Sequence, residues 1–160
     1  MRGRAFFNIK NINMNVVQYQ RRLKSFNVES NVKKAVKESS EEIVNLNKVN
    51  LSKGLNSFDK VVGRYSSFTA GWAKKLKPNK PKIFGSLYNF DWTGSFINGI
   101  FITYENYKIK FSSTGMGGAK KTRFITDNKL LGLSKIKRKI INEVILTPTL
   151  RRYFKSHINK

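Results

Sequence analysis

Cysteine is absent from this 160-residue chain, which excludes a disulfide framework, a thiolate metal site and a cysteine nucleophile. Histidine occurs once, as His157; no orienting partner stands near it in sequence, so it is expected to be exposed and outside acid–base chemistry. Acidic residues are scarce, with nine Asp and Glu against 32 Lys and Arg, a formal charge of +23. They are also scattered. Glu38, Glu41 and Glu42 share a helix face and read as a solvated stripe, and no carboxylates are spaced to converge on a pair of metal ions as a nuclease requires. No catalytic residue, metal or cofactor is therefore expected. No apolar run reaches signal-peptide or membrane-spanning length, so an intracellular protein, or part of a particle assembled inside a cell, is expected.

What is present is cation and aromatic surface together. Twelve Phe, six Tyr and two Trp argue for a packed core, which a disordered basic tail lacks. The charge is spread along the chain: residues 1–60 hold 12 basic and five acidic side chains, residues 61–160 hold 20 and four. Self-repulsion on that scale disfavours the compact state, and clustered cations recruit phosphate. The surplus points to a polyanion as partner.

Periodicity predicts an irregular arm over residues 1–13, then a short helix over 14–26 with Met14, Val17 and Phe26 inward. A stronger helix is predicted from Glu29 to Asn50, because Val32, Val36, Ser39, Ile43, Leu46 and Asn50 recur at three- and four-residue steps. Ser30 or Asn27 can cap it, and Gly54 lies past its end. From Ser52 to Gly85 the pattern dissolves into a long connection carrying Phe58, Tyr65, Phe68 and Trp72, and loops of such length tend to be functional. A strand is expected over Phe96–Tyr104, a turn at Glu105-Asn106, and a half-buried strand through Tyr107, Ile109 and Phe111. A flexible glycine loop, a short strand at Phe124-Ile125 and a turn at Asp127-Asn128 follow. Ser134 caps a last helix with Ile136, Ile140 and Val144 inward, supported by Ile141 and Ile145; Thr147-Pro148 interrupts it, Thr147 capping a new helix with Leu150, Phe154 and Ile158 inward. The order is that of an α+β fold: N-terminal helix, long aromatic-bearing loop, antiparallel hairpin or meander, and C-terminal amphipathic helices. Three parts are expected: arm and short helix (1–27), an α+β domain (28–146) and a basic C-terminal helix (147–160).

Two basic sets are candidates for nucleic-acid contact. Lys120, Lys121 and Arg123 follow the run Gly115-Met116-Gly117-Gly118, which lacks phosphate-loop spacing but supplies charge and reach. Lys135, Lys137, Arg138, Lys139, Arg151, Arg152 and Lys155 belong to the last helices, where Glu143 is the lone acid. A solvated helix face normally mixes signs; here the sign is nearly uniform. No helix-turn-helix, zinc-finger or ribonucleoprotein motif is visible, so sequence-specific base reading is not expected.

The segments Gly63-Arg64-Tyr65-Ser66-Ser67-Phe68-Thr69, Trp72-Ala73-Lys74-Lys75 and Leu87-Tyr88-Asn89-Phe90-Asp91-Trp92-Thr93-Gly94-Ser95-Phe96, with Leu130-Leu131-Gly132-Leu133-Ser134 opening a C-terminal helix, resemble the tail-completion or neck (head–tail connector) proteins of tailed bacteriophages, in their crAss-like phage version. The resemblance covers about residues 54–146, and departs from the family at Trp92 and in the basic final helix. It implies a structural virion protein, assembled in the host cytoplasm as a homo-oligomeric ring (twelve-fold, by the same resemblance) between portal and tail. Its implied partners are the portal, neighbouring neck or tail proteins and double-stranded phage DNA, with no membrane. Tyr65, Phe68, Trp72, Trp92, Thr93, Gly94 and Phe96 are the expected assembly interface. Trp72 and Trp92 fit burial in their own subunit equally well, Thr93-Gly94 fits an ordinary turn, and Gly94 is expected to take a positive φ. The basic faces are expected to meet either the DNA channel or acidic neighbours. The competing readings are a non-sequence-specific nucleic-acid-binding accessory protein, nucleoid- or ribosome-associated, and a small nuclease.

Overall fold

The computed structural model describes residues 15–76, 82–90, 94–115 and 119–159; the expected arm over 1–13 lies outside them. The fold is α+β. Helix α1 (Val16–Ser25) is capped by Asn15, whose Oδ1 accepts the Val17 amide at 3.0 Å. Val17, expected inward, is exposed, and α1 buries none of its residues. It docks instead through its end, where Phe26 meets Phe154 edge-on at 5.2 Å.

The expected long helix is two, α2 (Val28–Glu38) and α3 (Ser40–Ser52), broken at Ser39. Asn27 caps α2 by accepting the Ser30 amide at 2.9 Å. The periodic face survives the break: Val36, Ser39, Ile43 and Asn50 are all buried. Gly54 follows α3 with φ +74°, and a Cβ there would stand 2.7 Å from the Tyr88 carbonyl oxygen, so both conformation and space demand glycine.

The long connection is not structureless. Residues Ser67–Leu76 form helix α4, started by Ser66, whose hydroxyl accepts the Thr69 amide at 3.2 Å. Single antiparallel bridges, Leu55 with Val61 and Arg64 with Leu87, tie the rest down.

Residues 95–98 open the sheet region as a helical turn, α5 (Ser95–Asn98), rather than as strand. Strand β1 (Ile100–Glu105) pairs antiparallel with β2 (Lys108–Ser113), Glu105 opposite Lys108 and Ile100 opposite Ser113. The turn is Asn106-Tyr107, one residue later than expected; both residues have positive φ, 50° and 58°, as a tight two-residue hairpin loop requires.

Helix α6 (Ala119–Asp127) replaces the expected Phe124-Ile125 strand. Local bonds explain it: the Thr126 hydroxyl donates to the Thr122 carbonyl at 3.0 Å and Arg123 pairs with Asp127 one turn on. Ser134 caps α7 (Lys135–Ile140) as expected. The chain then runs through a π-helical turn (Ile141–Leu146) into α8 (Thr147–Ile158) without interruption, so the boundary expected at 147 falls inside one helical rod. Thr147 has helical φ and ψ, −61° and −45°, and is the first residue of α8 rather than its cap. Pro148 cannot donate to the Val144 carbonyl and crowds it; widening the preceding turn accommodates both.

Two packed clusters result. Val44, Leu51, Phe96, Ile100, Ile125 and Leu130 form one, and Ala35, Val36, Ile43, Ile141 and Leu146 the other. Ile102 and Phe111 of the hairpin touch both. Before α8 the rod turns a different face inward from that expected: Ile141 and Leu146 are buried, whereas Ile136, Ile140 and Val144 are exposed. Along α8, Leu150 and Phe154 are half-buried and Ile158 is buried, as expected.

Candidate polyanion-facing surfaces

Lys137 explains the orientation of the rod. It lies one helical turn before Ile141, and its ammonium is held by the Asn50 side-chain oxygen and, at 3.0 Å, by Asp59. Asn50 Nδ2 also donates to the same Asp59 oxygen at 2.8 Å and to the Asn56 carbonyl at 3.2 Å. Hydrogen bonds from Ser134, Lys137 and Asn50, in that order, hold the Asp59 carboxyl down to about 2 from an ordinary 3.8. Lys137 is thus an internal tie, which removes it from the expected nucleic-acid set. Sequence reading missed this junction, although Asn50 lay on the periodic inner face of its helix.

A second tie lies one turn back on α3. Asn47, fully buried, donates from Nδ2 to the Leu130 carbonyl at 3.1 Å and the Gly132 carbonyl at 2.9 Å. Asn56 continues the line, accepting the Phe58 and Lys60 amides and donating to the Asn128 carbonyl. These amides fix the loop that links the end of α6 to the start of α7.

The other expected cations are exposed. On α6, Lys120 is open, Lys121 donates to the Gly115 carbonyl at 2.5 Å, and Arg123 pairs with Asp127 at 3.3 Å. Their setting is a helix, where a mobile loop was expected. Along the rod, Lys135, Arg138, Lys139, Arg151, Arg152 and Lys155 all face solvent. Lys139 lies 3.9 Å from Glu143, and Arg152 lies 3.4 Å from Glu38, which also accepts the Tyr153 hydroxyl. Burial first, then that bond to Glu38, raises the Tyr153 phenol above its ordinary value.

The acids are largely engaged within the chain. Glu38, Asp59, Glu105, Asp127 and Glu143 sit in ion pairs, and Glu29 accepts the Tyr107 hydroxyl at 2.8 Å. Glu41 and Glu42 occupy the first turn of α3, where the helix dipole favours them. Asp91 lies outside the described residues.

The expected assembly residues separate. Phe96 is core, and Tyr65 is buried with its hydroxyl donating to Asn89 at 3.0 Å, so both are taken up within the chain itself. Gly94 has the positive φ expected of it, +77°, but starts helix α5 rather than a strand. Trp92 and Thr93 lie outside the described residues. Phe68 and Trp72 stand outward on α4 at 81% and 51% exposure, in line with Leu76 and close in sequence to exposed Ile83 and Phe84.

His157 is half-buried rather than exposed: its Nε2 lies 3.0 Å from the Arg22 carbonyl oxygen and 3.0 Å from the Ser25 hydroxyl. The Arg22 guanidinium in return donates to the Ile158 carbonyl at 2.5 Å. These bonds join α1 to the end of α8. Among the described residues, no three His, Asp or Glu side chains group as a metal site, and no helix is long and apolar enough to cross a membrane. No protein-family model, curated protein or solved structure matches this chain.

Proposed function

We propose that this chain is a non-enzymatic structural subunit of the neck or tail of a tailed phage, a ring component whose cations on α6 and on the outer face of the C-terminal rod meet DNA or acidic neighbours. One observation carries the reading. Most of the acids among the described residues are already engaged within the chain, while cations stand outward on two separate helical surfaces. A surplus of +23 that the chain does not match internally favours contact with an anionic partner, which releases the counterions that otherwise balance it. The outward line Phe68, Trp72 and Leu76 favours a subunit over a solitary binding protein, because contiguous exposed apolar surface marks contact sites.

Salt dependence tests the charge. The logarithm of affinity for duplex DNA falls with the logarithm of salt at about −0.9 per phosphate neutralised. Replacing Lys120, Lys121 and Arg123 together by Gln reduces that slope by up to about 2.7. A slope near zero in the parent protein assigns the cations to protein partners. Sedimentation with purified phage particles tests the assembly; a chain that stays monomeric and never joins particles overturns the ring.

A further inference from the structure

We propose that the free edge of β2 and the cleft beside it receive an extended acidic segment of a partner protein, which adds as a third strand to the hairpin. Among the described residues, no strand lies on the outer side of β2. Hydrogen-bonded pairs alternate along an antiparallel ladder. Glu105 with Lys108 flanks the turn, and the Thr114 amide bonds to the Gly99 carbonyl at 3.0 Å at the far end. That phase turns the amides and carbonyls of Ile109 and Phe111 away from β1, toward the open side.

A cleft of about 600 Å³ lies there, floored by Ile109, Phe111, Leu133 and Ile141. Its volume is that of a ligand site. No Asp or Glu lines it; its charged lining is Lys108 and Arg138. Their neighbours in sequence are answered inside the chain, Lys110 by Glu105, Lys137 by Asp59 and Lys139 by Glu143. The Lys108 and Arg138 side chains have no hydrogen-bond or ion-pair partner among the described residues. Apolar floor, two unanswered cations and an unpaired strand edge together select an occupant that is extended, apolar on alternate residues and acidic between them. Main-chain bonds supply affinity and the alternating side chains supply selectivity.

Arg138 is shared with the DNA reading, yet the two proposals fail separately: one is read at backbone amides, the other in a salt slope. The probe is a capped hexapeptide alternating glutamate and valine, added to the full chain and followed by amide hydrogen exchange. The expected result is at least tenfold slower exchange at Ile109 and Phe111. Lys108 and Lys110, already bonded across the hairpin, should change little. A peptide of the same charge, N-methylated at alternate residues, should give no protection, since it cannot complete the ladder. The double variant Lys108→Gln, Arg138→Gln should weaken binding about tenfold while keeping the parent's circular dichroism. Equal protection by the methylated peptide shows charge attraction alone and overturns the proposal. So does protection by a thymidine oligonucleotide at the same amides, which assigns the edge to nucleic acid. Protection that grows with protein concentration alone assigns it to a second copy and also overturns it.

Discussion

Two kinds of lysine and arginine coexist on the last helical rod, and their contrast explains most of the molecule. At Lys137 the cation is answered: Asp59 and Asn50 hold it, and the helix face that carries it turns inward with Ile141 and Leu146. At Lys135, Arg138 and Arg151, on the same rod, the cation stands in solvent. The inner group orders the chain, and the outer groups leave the chain with charge to be matched elsewhere. Equal residue types therefore do different work according to which face the fold turns toward the core.

The strongest way to break the contrast is to attack the inner side. Replacing Asn47 by Ala orphans the Leu130 and Gly132 carbonyls and opens a void, at a cost of about 3 kcal/mol in denaturant unfolding. Replacing Lys137 by Met leaves Asp59 without its cation; the pair is partly screened by solvent, so the expected loss is smaller, about 1–2 kcal/mol.

Acid sharpens the comparison further. The folded Asp59 carboxyl lies at about 2 and its ordinary value is 3.8. A depressed folded value means that the stabilisation is complete above about pH 4 and is lost as pH falls toward 2. Unfolding midpoints between pH 5 and pH 2 should show that fall, and an Asp59→Asn variant should flatten this part of the curve. The smallest effect on stability is predicted for the outer side. Changing Lys135 and Arg151 to Gln should move the unfolding free energy by less than about 0.5 kcal/mol while weakening DNA binding at low salt.

The inner face of α2 and α3, the Asn27 and Ser134 caps, the hairpin and the positive φ at Gly94 were legible because each depends on neighbours within a few positions. Helix α4 carried its signal too, in Ser66 before the line Phe68, Trp72, Leu76, but Gly63 before it, Gly71 within it and Pro78 after it masked it. Helix α6 was missed because Phe124-Ile125 alternates with nothing, and its support is polar: Thr126 on Thr122, Arg123 on Asp127. The cleft at β2 could not be read from sequence, since its walls come from four separate stretches, represented by Phe58, Ile109, Leu133 and Ile141.

Composition alone established that this chain carries more positive charge than its own acids can answer. Local pattern established where most helices and the hairpin lie. Which cations are internal ties, which apolar residues stay outside and which strand edge stays open were decided only in three dimensions. The rod carries apolar residues on more than one face, so periodicity leaves several rotations open. The Asp59–Asn50–Lys137 junction, made from residues 78 and 87 positions apart, selects one of them.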